Sequence, residues 1–380
     1  MDIKTNSRVD NAIIERKTCE DCSDLANPVV ENPELVSSTQ ANLANNGRAR
    51  RGFLSGILAT LGAVLTPPVL AEQLRGPIAD RKWWPTKWGA SDQAGASNYM
   101  TAQKVLEATQ LIQQGQVYSL GRVYESGMPF FPGRGFSLRI PGNPTLGPVG
   151  DNKLIAHEEF LATEIGQVGS QFDGLPHIGI EMDGPDNNAE KRFYNGMSLT
   201  EIRGAYGFKK LGVENAKPFV CPAVLFDVKA VKGRNLERGE EIRLADLISC
   251  LEKQNMSVSD FGIGDVALIR TGWGDQWMVD NKSYYDGEPG IGLEATQWLI
   301  DRGASMIAAD NWAVEVLPNP DADLSYPVHQ LSLTKHGVYL FENLVFDDLA
   351  ANSIYKGAFF FSPVPIKGAT GSPGNPIVIA

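Results

Sequence analysis

Three short apolar runs constrain the fold of this chain more than any other feature of its sequence. Residues 223–228, 265–270 and 338–342 each have the length and the β-branched and aromatic content of a largely buried strand. Between the last two runs, residues 293–302 carry apolar side chains on one helical face, and residues 305–309 form a further apolar run. This order of strand, helix and strand predicts a mixed α/β architecture.

The chain is long enough, at 380 residues of which 43% are hydrophobic, to bury a full core. Residues 73–380 contain neither a Ser/Gly linker nor an internal repeat, so we interpret them as one large domain. The formal net charge is -11 and the sequence has no long Lys/Arg run, which argues against nucleic acid as a partner because such binding depends mainly on basic side chains. We expect a small-molecule substrate instead.

The segment RARRGFLSGILATLGAVL, at residues 48–65, resembles a twin-arginine export signal. Its apolar part is shorter than the roughly 20 residues that a helix needs to cross a bilayer, but it suits the apolar region of a signal peptide. Two prolines follow, and residues 69–71 have the small-residue pattern of a cleavage site. We therefore interpret residues 48–71 as a signal segment and expect a periplasmic protein without a stable membrane anchor; a buried apolar helix is the alternative.

The four cysteines form two pairs with different expectations. Cys19 and Cys22 form a C-x-x-C pair within residues 1–47, a polar stretch without periodicity that we expect to be a disordered leader. They have no second pair nearby, so a metal or redox role is not favoured. Export makes a disulfide between Cys221 and Cys250 chemically feasible, but two buried free thiols are the default expectation.

The segment QVGSQFDGLPH, at residues 167–177, is the part of the sequence that best indicates chemistry. In an extended segment alternate side chains share a face, so Gln167, Gln171 and Asp173 can point the same way. Gly169 and Ser170 leave room for the backbone to approach an ion. The segment therefore predicts a metal site.

This segment resembles a motif of the cyclase family, the kynurenine formamidase and isatin hydrolase-like metal-dependent hydrolases, which has the form H-x-G-T-H-x-D-x-P-x-H. Asp173 and His177 match the motif, whereas Gln167 and Gln171 stand in place of histidine ligands, Ser170 in place of threonine and Leu175 in place of proline. Later segments of the chain, residues 264–273, 309–311, 327–330 and 342–344, also resemble the family. The resemblance extends from about residue 83 to the C-terminus.

The resemblance implies a swivelling β/β/α cyclase-like fold of mixed layers that holds a divalent metal. It implies that Asp173, His329 and Glu342 are ligands of one ion, and that Gln167 and Gln171 are ligands at a second position. An amide oxygen is a weaker donor than imidazole, so we expect a single ion or a weakened first site. A donor set rich in oxygen favours Mn²⁺, with Zn²⁺ and Mg²⁺ as alternatives.

The remaining candidates have structural interpretations beside the functional ones. For His177 the resemblance implies catalytic proton transfer, and the alternative is a structural hydrogen bond. For Glu342 the alternative is a salt bridge, because an unpaired buried carboxylate is costly. His157 and His336 match no motif, and we expect them to be surface residues or hydrogen-bonded core residues.

The resemblance implies metal-assisted hydrolysis of a carbon–nitrogen bond, in a formamide or cyclic amide, or of an ester. The substrate would be small; an aromatic formamide, as in the arylformamidase step from tryptophan to kynurenine, is one candidate beside cyclic amides and lactones. Two alternatives stay open: an exported small-molecule binding protein that has lost catalysis, and a lyase or isomerase on the same scaffold. The resemblance also implies a homo-oligomer.

Overall fold

The structure, a computed structural model, describes residues 83–182 and 190–380. The expected leader, the signal segment with its cleavage site and the Cys19 and Cys22 pair lie outside the described residues. Within the described ranges, none of the helices has the length and apolar character needed to span a bilayer.

The strands, in chain order, are β1 (Val117–Ser119), β2 (Phe136–Arg139), β3 (Leu146–Val149), β4 (Leu154–Ala156), β5 (Phe160–Thr163), β6 (Gln171–Asp173), β7 (Ile180–Glu181), β8 (Lys191–Arg192), β9 (Phe219–Asp227), β10 (Glu241–Ile242), β11 (Val266–Arg270), β12 (Gly290–Ile291), β13 (Met306–Ala309), β14 (Tyr339–Glu342), β15 (Lys356–Phe361), β16 (Gly371–Pro373) and β17 (Ile377–Ile379). The α-helices are α1 (Ala102–Thr109), α2 (Leu199–Ile202), α3 (Val228–Lys232), α4 (Leu244–Lys253), α5 (Asn281–Tyr284), α6 (Leu293–Asp301), α7 (Pro327–His329) and α8 (Asp347–Ala351). Short 3-10 turns cover Gly95–Tyr99, Tyr194–Gly196, Val213–Asn215, Val258–Asp260 and Trp273–Gln276, and a π-helical segment, Gln330–His336, follows α7.

A nine-stranded mixed sheet organises the fold, in the order β1-β17-β15-β9-β11-β13-β14-β6-β16. The four central strands β9, β11, β13 and β14 are parallel, and the outer strands are antiparallel to their neighbours. The central strands are the apolar runs of the sequence, so the predicted mixed α/β class and single large domain are confirmed. The first run differs in extent, because β9 already begins at Phe219 and Val228 belongs to α3.

Hydrophobic clusters lie on both faces of the sheet. Along β11, Ala267 and Ile269 belong to the cluster covered by α4 and α6, whereas Val266 and Leu268 belong to the cluster on the opposite face. Burial on both faces explains why these strands are continuously apolar and do not alternate with polar residues. Fully burying one such side chain stabilises the fold by about 1.5–3 kcal/mol.

The two described cysteines are divided between these clusters. Cys221 lies in one cluster and Cys250 in the other, so the sheet separates them. Both are buried free thiols in the described part of the chain, as expected from the sequence.

Helix α6 shows how local sequence sets an element boundary. Its C-terminus is followed by Gly303, whose φ of +87° is unfavourable for residues with a Cβ. The amide of Gly303 donates to the carbonyl of Ile300, and the amide of Ala304 donates to that of Leu299. These two bonds form a Schellman motif, which satisfies carbonyls at the helix end.

A separate two-stranded ribbon, residues 136–163, precedes the metal-site segment. Strand β2 pairs with β5, and β3 pairs with β4 closer to the tip. At its base the Phe136 ring lies 6.1 Å from that of Tyr124, and the Gly135 amide donates to Glu164. The pattern of the sequence does not predict this ribbon.

Candidate metal centre

Strand β6 places two of the candidate ligands. It pairs with β14 so that Gln171 lies directly opposite Glu342. Phe172 faces the other way, where its ring stacks on that of Tyr339 with centroids 4.8 Å apart. Because side chains alternate along a strand, burial of Phe172 turns Gln171 and Asp173 to the face that carries Glu342.

His329, at the end of α7, completes a group of three side chains. Its Nε2 lies 3.5 Å from Asp173 Oδ2 and 3.4 Å from Glu342 Oε1. Both oxygens are buried, and among the described residues neither has a hydrogen-bond partner. Burying a charged oxygen without a partner is costly. A divalent cation held by these three atoms would satisfy both oxygens, so the residues present fit a metal.

The pKa values of the site reflect the crowding of charge around it. Burial, together with the neighbouring charge of Asp173, raises the pKa of Glu342 to about 8. Burial lowers the pKa of His329, but the carboxylates of Asp173, Glu315 and Glu342 outweigh this effect and hold it well above its usual range. A cation between the carboxylates would offset their mutual repulsion.

Glu315 orients the His329 ring by contacting Nδ1, the nitrogen on the side away from Asp173 and Glu342. Its carboxylate lies 2.6 Å from His329 Nδ1 and also accepts the backbone N–H groups of Val328 and His329. With Nδ1 donating its proton to Glu315, Nε2 would be the atom that binds an ion held between Asp173 and Glu342. This carboxylate–histidine arrangement is typical of metal sites, where it sets the tautomer of the ligand.

The two glutamines donate to the carboxylates. Nε2 of Gln171 donates to Glu342 Oε2 at 2.6 Å and to Asp173 Oδ1 at 3.2 Å, and Nε2 of Gln167 donates to Glu342 Oε2 at 3.1 Å. The Gln171 amide is held at both ends, because its Oε1 accepts the backbone N–H of Gln167. Each carboxylate therefore has one oxygen bound to an amide and one oxygen facing His329.

His177 lies at the open side of the group. Its Nε2 is 3.8 Å from Asp173 Oδ1, and its side chain is 23% exposed. Burial lowers the pKa of His177, against the opposing effect of Asp173. Asp173, His177 and His329 offer ligand atoms that all lie within 4.8 Å of one another, a spacing that suits a metal ion.

A cavity of about 170 Å³ opens beside this group. Its lining joins the polar residues of the site to aromatic rings: Phe131, Gln167, His177, Ile178, Trp312, Ala313, Tyr326, His329 and Glu342. The Phe131 and Trp312 rings lie 5.6 Å apart, and the Tyr326 ring lies edge-on to His329 at 5.6 Å. The cavity can thus place a small flat molecule against the metal centre.

A family model described as "Putative cyclase" matches residues 96–316 of the sequence. The chain belongs to the cyclase family. A solved structure titled a novel cyclase is 33% identical to it, with a TM-score of 0.67 and coverage of 77% of this chain and 96% of that chain. Isatin hydrolase A from Labrenzia aggregata, solved with benzyl benzoate, is 19% identical, with a TM-score of 0.50 and coverage of 70% and 94%. No curated protein matches the sequence.

The structure of this cyclase-family chain brings all the predicted site residues to one place. Asp173, His329 and Glu342 meet at the unpartnered oxygens, and His177 lies next to them. Gln167 and Gln171 are also present, as donors to carboxylates, and their ligation of a metal stays a prediction. The family match ends at residue 316 and does not cover His329 and Glu342, which the structure places beside Asp173.

Four residues of the centre could not be predicted from the sequence. Glu315, Trp312, Phe131 and Tyr326 lie in irregular segments outside the named helices and strands, where periodicity gives no signal. For Glu315 the clue available in the sequence is a lone acidic residue between Val314 and Val316. Conversely, His157 lies on the ribbon within 3.2 Å of Asn143 and takes no part in the site.

Proposed function

We propose that this protein is a metal-dependent hydrolase that acts on a carbon–nitrogen or ester bond of a small aromatic substrate. The observation that carries the proposal is the pair of buried carboxylate oxygens, Asp173 Oδ2 and Glu342 Oε1, that lack a partner among the described residues and face His329 Nε2. These three side chains would hold the ion. When bound, a divalent ion polarises a carbonyl oxygen and makes water a better nucleophile at neutral pH.

The remaining residues bind and orient the reactants. The rings of Phe131, Trp312 and Tyr326 line the cavity and would hold an aromatic ring with its carbonyl toward the metal centre. His177 reaches both the cavity and Asp173, so it is placed to take a proton from water and deliver it to the leaving nitrogen or oxygen. Glu315 keeps the His329 ring in place.

The substrate proposals are formamides of the arylformamidase type and cyclic amides. The family resemblance supports an N-formyl aromatic amine such as formylkynurenine. One structural neighbour is titled isatin hydrolase, and isatin is itself a cyclic aromatic amide. We include simple lactones because the same arrangement serves ester bonds.

For the ion we propose Mn²⁺, with Zn²⁺ and Mg²⁺ as alternatives, because two carboxylates contribute oxygen ligands and a single imidazole contributes nitrogen. We also propose a periplasmic location, which the twin-arginine pattern at residues 48–65 supports.

The experiment is to reconstitute the purified protein with Mn²⁺ or Zn²⁺ and to screen formamides, cyclic amides and lactones for hydrolysis. We expect activity with at least one class, and its loss in an Asp173→Ala variant. Lactone or amide hydrolysis that Asp173→Ala leaves at the original rate would contradict the proposal.

A second candidate is a small-molecule binding protein that does not catalyse. The amide donors of Gln167 and Gln171 favour it, because their hydrogen bonds already stabilise the carboxylates without a cation. A protein that binds an aromatic amide without converting it, and that takes up neither Mn²⁺ nor Zn²⁺, would establish this alternative.

A further inference from the structure

A second cavity, of about 560 Å³, lies apart from the metal centre. Its lining comes from residues 83–99, from the end of α6 and from the π-helical segment that follows α7. Among the described residues, it shares no lining residue with the cavity of the metal centre. Small-molecule sites typically have volumes of about 300–1,000 Å³, so this cavity is large enough for a small organic ligand.

Three aromatic rings, those of Trp83, Trp88 and Tyr99, line this second cavity. The rings of Trp88 and Tyr99 meet edge to face, with centroids 5.3 Å apart. Ile300 and Leu331 add aliphatic surface. Aromatic side chains offer large apolar faces and edges to another ring, so this lining suits the flat, apolar part of a ligand.

Two ammonium groups lie beside these rings. Lys87 Nζ is 4.6 Å from the centre of the Trp88 ring and 4.5 Å from that of Tyr99, and it donates to the Tyr99 hydroxyl. Lys335, which is only 6% exposed, places its Nζ 5.6 Å from the centre of the Trp83 ring. Contacts of this kind attract a cation to the face of a ring. They hold both ammonium groups at the cavity.

The charge of the lining is positive although the protein is acidic. Among the described residues, the lining contains two lysines and a single carboxylate, that of Asp301, which is exposed and accepts the Gln297 amide at 2.7 Å. His336 adds positive charge when it is protonated. The whole chain, by contrast, has a formal net charge of -11. Positive charge in a cavity attracts anions, because the low-dielectric walls focus its field.

A buried hydrogen-bond donor belongs to the same lining. Nε1 of Trp83 is buried and has no hydrogen-bond partner among the described residues. Buried donors in native proteins nearly always have a partner. A carboxylate has two acceptor oxygens, so a ligand carboxylate can accept from this nitrogen and pair with an ammonium group at the same time.

We propose that the second cavity binds a small aromatic carboxylate. The ring of the ligand packs against the aromatic lining, and its carboxylate pairs with Lys87 or Lys335 and accepts from Trp83 Nε1. The proposal requires neither a metal nor hydrolysis, so it stands apart from the proposed activity of the metal centre.

Isothermal titration calorimetry of the full chain with indole-3-acetate tests the proposal. Indole-3-acetamide keeps the ring and loses the charge, whereas acetate keeps the charge and loses the ring. We expect saturable binding of indole-3-acetate that is at least about 10-fold tighter than that of either control ligand. A wild-type protein that does not bind indole-3-acetate, or that binds one of the controls as tightly, would overturn the proposal.

Two variants test the residues of the cavity. Lys87→Gln removes an ammonium group at an exposed position, and Trp83→Phe removes the unpartnered Nε1 while it keeps an aromatic ring. Each should weaken the binding of indole-3-acetate by about 3- to 10-fold. The matched control is Lys282→Gln, at an exposed position outside the cavity, which should leave the affinity unchanged. Full affinity in both Lys87→Gln and Trp83→Phe would contradict the proposed site.

A further variant distinguishes this cavity from the cavity of the metal centre. Nε1 of Trp312 is also buried without a hydrogen-bond partner in the described part of the chain, but Trp312 lines the other cavity. Trp312→Phe is therefore chemically the same change as Trp83→Phe, and it should leave the affinity for indole-3-acetate unchanged. Weaker binding in Trp312→Phe together with unchanged binding in Trp83→Phe would place the ligand at the metal centre and overturn the proposal.

Discussion

At the scale of single residues, the metal centre depends on a carboxylate that is not itself one of the candidate metal ligands. Glu315 is fully buried and accepts His329 Nδ1 together with two backbone N–H groups. A glutamine in its place keeps the shape but replaces one acceptor oxygen by a donor. Glu315→Gln should therefore release the His329 ring and weaken metal affinity by about 10- to 100-fold.

Competition with a chromophoric chelator measures this affinity for Mn²⁺ or Zn²⁺. The matched control is Glu288→Gln, since Glu288 is equally buried and accepts the backbone N–H groups of Trp312 and Ala313. We expect both variants to lose stability and Glu315→Gln alone to lose affinity. Equal weakening in the two variants would mean that Glu315 acts only through folding.

The role of Gln171 can be separated from ligation by measuring the metal-free protein. Gln171→Leu leaves Glu342 Oε2 with Gln167 as its remaining donor and leaves the buried Asp173 Oδ1 without a hydrogen bond among the described residues. The free energy of unfolding in the presence of a chelator should fall by about 1–3 kcal/mol. A glutamine that served only as a metal ligand would affect metal affinity and leave the metal-free protein unchanged.

The control for this variant is Gln297→Leu, in which the lost amide serves Asp301. Asp301 is exposed, so water can replace the lost donor and stability should change by no more than about 0.5 kcal/mol. Urea unfolding of both variants under identical conditions makes the comparison.

At the scale of elements, β6 owes its register to Phe172. The ring packs against Phe219, Tyr339 and Phe361, with centroids between 4.8 and 5.7 Å away. Phe172→Ala should lower the free energy of unfolding by about 3–5 kcal/mol and should also weaken metal binding, because Gln171 and Asp173 lose their fixed direction. Tyr206→Ala, at a fully exposed position, is the control and should change neither quantity; calorimetry and metal titration measure them.

The elements also show what could be predicted from the sequence. The strands β9, β11, β13 and β14 are continuously apolar because both faces are buried, and this pattern is visible without the structure. The pairing of β6 with β14 joins segments far apart in the chain, and local periodicity contains no information about it. The ribbon was missed for a related reason, since its strands expose apolar side chains and lack the alternation of a half-buried strand.

In the metal site, too, some features could be predicted from the sequence and others could not. Asp173 and His177 could be found from the spacing of one short segment, and His329 and Glu342 from the family resemblance. The direction in which the glutamine amides point could not be predicted from the sequence, because it depends on the hydrogen bond from the Gln167 backbone N–H to Gln171 Oε1. At Gln167 φ is +64°, a conformation that a sequence pattern does not predict for a non-glycine residue.

At the scale of the whole molecule, metal binding and folding are coupled because the ligands come from distant parts of the chain. Asp173 lies on β6, His329 ends α7 and Glu342 ends β14, so only the folded protein brings them together. An ion that binds the folded state alone stabilises it by about 2.7 kcal/mol at a free concentration 100 times its dissociation constant. Added Mn²⁺ should therefore raise Tm by several degrees, and EDTA should reverse the shift.

The isosteric variant Asp173→Asn identifies where that ion binds. It keeps the shape of the side chain but replaces one of the two carboxylate oxygens, either the unpartnered Oδ2 or Oδ1, by an amide nitrogen that cannot act as a ligand. It also removes one of the two negative charges that Asp173 and Glu342 bring to the ion. The metal-dependent rise in Tm should then disappear or shrink to a small fraction, whereas Asp323→Asn, on the loop after β13, should keep the full rise. A rise of the same size in Asp173→Asn would show that the stabilising ion binds outside the centre formed by Asp173, His329 and Glu342.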